Sequence, residues 1–129
     1  MICVMTNRKK GQRKHKRFGA PTGTYVALRP DFIKVGQITD ISVGGLAFDY
    51  VGDDEGSSAE SRELDILMLD GAFHLYNIPC RIISDLITHQ SHPGLTTNMR
   101  RCGVQFEELT VYQSGRLKYF IEKHTTGEK

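Results

Sequence analysis

Between residues 24 and 106, apolar side chains recur at every second position in short runs separated by Gly, Pro and acidic clusters, a pattern that predicts successive β-strands. Thr24 to Leu28 and Phe32 to Ile38 flank Arg29-Pro30-Asp31, as two strands flank a polar turn. Leu46 to Val51 follows a bend at Gly44-Gly45 and places Leu46, Phe48 and Tyr50 on one face. Leu64 to Leu69 and Phe73 to Ser84 form a pair about Asp70-Gly71, a tight-turn signal. Pro79 lies inside the second of these and, lacking an N–H, predicts an edge position or a bulge there. Residues 86 to 98 read as a polar loop. Met99 to Phe106 is then a last strand, with Cys102, Val104 and Phe106 on the core face and Arg101, Gly103 and Gln105 on the other. From Thr110 the period changes: Gln113, Leu117, Phe120, Ile121 and His124 fall at helical spacing, and Thr110 with Gln113 forms a capping box. Gly115 inside the helix costs about 1 kcal/mol relative to Ala, so packing of Leu117, Phe120 and Ile121 must hold it.

The fold class is therefore all-β with one C-terminal helix. About six antiparallel strands suit a small barrel whose open end the helix plugs, and they also suit a two-layer sheet packed on the same helix. The pattern divides the chain into a flexible basic arm over 1–17, a barrel with its helix over 18–124, and a disordered tail over 125–129. Phe18 to Gly23, with Gly, Pro and one aromatic, reads as a turning linker that Phe18 anchors.

Composition narrows the class without changing the layout. The 129 residues, 39% of them hydrophobic, suffice for one domain with its own core. No apolar run is long enough to span a bilayer, and the short stretch Met1 to Thr6 does not resemble a signal peptide, so neither membrane insertion nor export is expected. Cys3, Cys80 and Cys102 are an odd number at wide spacing, which fits reduced thiols in a cytoplasm. The net charge of +2 conceals an asymmetry. Seven of the 17 Lys and Arg precede Phe18, with no acid before Asp31, and the remainder holds ten basic against fifteen acidic residues, a net −5. A basic arm on an acidic body points to an anionic ligand at the arm, or else to a merely solvated tail.

Candidate chemistry gathers in two stretches. In Asp40-Ile41-Ser42-Val43-Gly44-Gly45, the Asp and Ser are two apart on a strand and share a face, and the glycines that follow are free to take positive φ and admit a ligand. In the arm, Arg13 and Arg17 each present a planar donor fork suited to phosphate oxygens and to the O6/N7 edge of guanine. A carboxylate such as Asp40 accepts from the N1 and N2 hydrogens of guanine. Without the arginines, the hexapeptide reads as an ordinary turn in which Asp40 and Ser42 bond the backbone.

Arg13-x-x-x-Arg17 followed by Asp40-x-Ser42-x-x-Gly45 resembles the signature of the PilZ domain, a bacterial second-messenger receptor for cyclic di-GMP. The resemblance extends over roughly Arg13 to Lys123. It implies a six-stranded antiparallel barrel with a C-terminal helix and a ligand on the barrel's outer surface. Arg13 and Arg17 would grip guanine edges and phosphates, Asp40 and Ser42 would face a guanine, and Gly44 and Gly45 would keep the surface low beneath the base. Gln12, ahead of Arg13, lies where the family sets whether one ligand or a stacked pair binds. Arg101, on the outer face of the last strand, is a further candidate for a phosphate, beside the plainer reading as an exposed strand residue. No cofactor is expected besides the ligand, and a receptor of this kind needs a downstream protein partner.

Other classes find less support. A nucleic-acid-binding module would use the same arm, but the body lacks the exposed aromatics and basic stripe of single-strand binders, so no stable nucleic-acid complex is expected. An enzyme would need a nucleophile, base and orienter, and no such group is visible. His89-x-x-His92 has metal-like spacing without further ligands nearby, and the acidic loop over 52–61 lacks the spacing of a calcium loop. Neither a metal nor a catalytic residue is assigned.

Overall fold

The computed structural model describes residues 15–29, 34–52, 61–89 and 98–128. Among the described residues, eight strands and one helix run in the order β1 (Phe18–Gly19), β2 (Thr24–Arg29), β3 (Lys34–Ser42), β4 (Gly45–Gly52), β5 (Ser61–Met68), β6 (His74–His89), β7 (Asn98–Phe106), α1 (Val111–His124) and β8 (Gly127–Glu128). Six of them pair antiparallel in the cyclic order β2-β5-β6-β7-β4-β3, and the β2–β3 ladder from Tyr25↔Gln37 to Leu28↔Lys34 closes the barrel. Closure, left open by the alternation, is decided by that ladder. At the seam a Cβ on Gly36 would lie 1.8 Å from the Asp49 carbonyl oxygen, so only glycine lets β3 run so close to β4.

The inward positions are those the period of two assigns. Leu46, Phe48 and Tyr50 of β4, and Cys102, Val104 and Phe106 of β7, are all buried. β6 is not an edge strand: it lies between β5 and β7, and Pro79 is accommodated by a bulge just before it. There Tyr76 and Asn77 are passed over as the pairing steps from Leu64↔Ile78 to Ile66↔Leu75, and Asn77 takes φ 61° while its N–H donates to the Asp65 carboxylate at 2.9 Å. Strand β6 also continues past Ser84. Leu86 and Ile87, expected in a loop, pair with Arg101 and Arg100, because the strand partner extends that far and their side chains suit it. The acidic loop tip, the turn after Arg29 and His92 lie outside the described residues.

Helix α1 starts where the capping box predicts: the Gln113 amide donates to Thr110 Oγ1 and the Thr110 amide to Gln113 Oε1, each at 3.0 Å. Leu117 and Phe120 are buried, and Phe120 meets Phe73 with ring centroids 4.8 Å apart. Gln113 Nε2 donates to the Asn77 carbonyl at 2.9 Å, tying the helix to the β6 bulge. Two short strands extend the sheet beyond the barrel. Phe18 and Gly19, expected in a linker, pair with Ile41 and Asp40 of β3, and on their other edge with Glu128 and Gly127, expected in a frayed tail.

Candidate functional site

The site lies on the outer wall where β1 covers the end of β3. A bulge at Thr39 shapes it. Ile38 and Ile41 are three residues apart yet both buried, so the intervening Thr39 and Asp40 both fall outside the barrel. Thr39 Oγ1 donates to the Ala47 carbonyl at 3.1 Å, which satisfies backbone that the bulge disturbs. Asp40 is thereby presented beside Gly19, its register partner on β1, and Arg17 lies two residues up the arm. Arg17 Nη1 donates to Asp40 Oδ1 at 2.9 Å in a partly buried pair. The two halves of the motif, 23 residues apart, thus meet. Arg13 lies outside the described residues.

The remaining motif residues take more structural roles than expected. Ser42 is buried, and its hydroxyl donates to the Gly45 carbonyl at 3.3 Å while accepting from the Gly44 amide at 3.1 Å. It shapes the turn rather than offering a hydroxyl outward. Neither Gly44 nor Gly45 has positive φ. What demands glycine is space: a Cβ on Gly45 would sit 2.2 Å from the Val104 carbonyl oxygen. At Gly44 the near neighbour is a side chain, His15, whose Cδ2 would lie 2.5 Å from a Cβ there. The antiparallel register of β1 and β3, continued outward, puts His15 opposite Gly44.

Arg101 is held in a bidentate pair that the sequence reading missed. Its Nε donates to Asp49 Oδ1 at 2.8 Å and its Nη2 to Asp49 Oδ2 at 3.2 Å, across the Asp49↔Arg101 register pair. The hydrogen bond to Asp49, aided by the charges of Asp49 and Asp40, raises its pKa against the opposing effect of burial. The wall therefore carries two neighbouring ion pairs, Arg17–Asp40 and Arg101–Asp49. Beside them runs a groove of about 500 Å³ whose lining includes Tyr25, Gln37, Thr39, Asp49 and Met99. Asp49 was legible as an outward position between Phe48 and Tyr50, but its partner depends on register.

The family model of the PilZ domain matches residues 11–123. The chain belongs to the PilZ family. Its fold is similar to that of the PilZ domain with c-di-GMP of YcgR from Escherichia coli, with a TM-score of 0.67 and 17% identity over 87% of this chain and 90% of that one. It is also similar to the K. pneumonia MrkH-c-di-GMP complex, with a TM-score of 0.63 and 15% identity over 88% of this chain and 52% of that one, about half its length. No curated protein matches the chain.

This PilZ domain also contains a polar cluster at the inner end of the barrel that the alternation did not reveal. Asp85 accepts from Tyr50 Oη at 2.8 Å through each oxygen and from Arg100 Nε at 3.0 Å, and Lys34 Nζ lies 3.9 Å away. Lys34 and Arg100 are buried. Burial first, and then the bond to Asp85, push the Tyr50 phenol well above its ordinary range, while the same carboxylate raises Arg100. Two residues of this cluster neighbour the wall pair in sequence: Tyr50 follows Asp49, and Arg100 precedes Arg101. Cys102, likewise inward, has its thiol pushed up to about 12, chiefly by burial, as befits a core residue. No helix is long and apolar enough to cross a membrane, and no group of three potential metal ligands occurs among the described residues.

Proposed function

We propose that this PilZ domain binds cyclic di-GMP on the outer wall at β1 and β3, with Arg17 and Arg13 supplying donor forks and Asp40 accepting from a guanine edge. The observation that carries the reading is the Arg17–Asp40 contact, which brings a guanidinium and a carboxylate together on an open face. Both YcgR and MrkH, which share the fold, were solved with c-di-GMP. Arg101 offers a second guanidinium on the same wall once a phosphate competes with Asp49. Gly45 and Ser42 support the site by fixing the turn. The domain acts as a receptor rather than an enzyme, and it relays occupancy to a protein partner by reordering the arm, whose root is strand-paired to β3.

Calorimetric titration tests this. Cyclic di-GMP should bind, and GMP and random single-stranded DNA should bind far more weakly, because only the cyclic dinucleotide offers two guanines and two phosphates in compact form. Asp40→Ala should weaken binding by about 1–3 kcal/mol, the loss of a charge-assisted contact, with the fold intact. DNA binding of equal strength that falls steeply with salt would replace this reading with a nucleic-acid module.

A further inference from the structure

The arm lies over the glycine turn of the motif. Of the two motif glycines only Gly44 leaves an opening on the surface, because the missing side chain of Gly45 points at the backbone of β7. That opening is filled by the imidazole of His15, with Cδ2 and Nε2 at 2.5 and 3.1 Å from where a Cβ on Gly44 would be. Two residues along, Arg17 is paired with Asp40 at 2.9 Å. The placement follows from the ladder: Phe18↔Ile41 and Gly19↔Asp40 set a register that carries Arg17 to Ser42 and His15 to Gly44.

We propose that His15 is an intrasteric plug, a planar ring that occupies the glycine opening until the ligand displaces it, and that it sets the affinity of the site. This deepens, and rests on, the reading of the wall as a cyclic di-GMP site. His15 is exposed on its remaining surface, so it is held by few atoms and is displaceable. The energetic consequence is a reduced competent fraction: the apparent dissociation constant rises as the fraction of molecules with an open shelf falls. Arg17 need not leave with it, since one carboxylate oxygen and the rest of the guanidinium remain available.

The test uses the whole chain and the variant His15→Ala. Titrated with cyclic di-GMP, the variant should bind more tightly than the natural chain, roughly three- to tenfold, by removal of that competition. In NMR spectra the Gly44 amide should show a ring-current shift in the free natural chain that disappears in His15→Ala and also on saturation with ligand. Equal affinities, or weaker binding by His15→Ala, would overturn the plug while leaving the binding site standing; weaker binding would make His15 a ligand contact instead. A Gly44 resonance indifferent to His15 would overturn it as well. Absence of binding by both proteins would dispose of the cyclic di-GMP reading and of the plug with it.

Discussion

Removing the Asp85 carboxylate should destabilise the domain more than removing any one of its partners. Asp85 is the sole anion facing Lys34 and Arg100 in the described cluster, and its side chain is only 7% exposed against 5% and 3% for theirs. In Asp85→Ala, two buried cations lose their counter-charge and the Tyr50 hydroxyl loses its acceptor. Breaking a buried ion pair from one side costs about 3–5 kcal/mol, and an orphaned hydroxyl about 1–3 kcal/mol. These costs share one carboxylate and do not add, so about 3–5 kcal/mol is expected, a large part of a total stability of roughly 5–15 kcal/mol. Arg100→Met should cost less, about 1–2 kcal/mol, because Asp85 keeps Tyr50 and can draw in Lys34 from 3.9 Å while the new side chain fills the space. Urea unfolding followed by circular dichroism, analysed at a common slope, measures both. A loss below about 1 kcal/mol in Asp85→Ala, or a larger loss in Arg100→Met, would refute the view that the carboxylate is what makes the two buried cations tolerable.

Two further outcomes are expected. Gly45→Ala drives a Cβ into the Val104 backbone and should cost about 1–3 kcal/mol, whereas Gly44→Ala meets only the His15 side chain and should stay within about 0.5 kcal/mol; thermal melts that rank them the other way would contradict the assigned roles. Stability should decline in alkali. The Cys80 and Cys102 thiols are raised from 9.0 to about 12, mainly by burial, so the neutral forms favour the fold below pH 9 and that contribution is lost as pH rises through 12. The slope should approach about 2.7 kcal/mol per pH unit for the pair in that window, and should flatten in the double variant Cys80→Ala/Cys102→Ala.

Positions whose role is decided by neighbours within a few residues were legible in the sequence. The alternation of Leu46, Phe48 and Tyr50 needs only the pleat, and the Thr110–Gln113 box only one turn of helix. The Asp70-Gly71 turn likewise closes locally, with Gly71 at φ 81° and the Ala72 amide donating to Asp70 Oδ1. What depends on register across the barrel was not legible. Asp49 meets Arg101 from 52 residues away, and Asp85 is an inward charge that makes sense only once Lys34, Tyr50 and Arg100 surround it. Read singly, those polar residues interrupt the apolar period, which is why β6 looked finished at Ser84. Strands β1 and β8, two residues each, are too short for any period to register. In the motif itself the side chains of Arg17 and Asp40 behave as their chemistry suggests, while Ser42 and Gly45 serve the turn and the approach of β7.

The position of the site follows from the size of the barrel. Six strands enclose a space that side chains such as Phe48, Leu64, Ile66 and Ile78 occupy, each of them 0% exposed, as in other small barrels with a packed interior. On the proposed reading the ligand lies against the outside, where one wall covers only one of its faces, although well-bound small molecules bury roughly 70–90% of their surface. The missing cover has to come from a separate segment. The arm is placed for this because β1 pins its root beside Asp40. The same two-residue strand pairs on its far edge with Gly127–Glu128, shortly after the end of α1 at His124. On the proposed reading, any shift of the arm root on binding must be accommodated at that second ladder. On that same reading, the segment following the helix is where occupancy of the wall would first reach a partner.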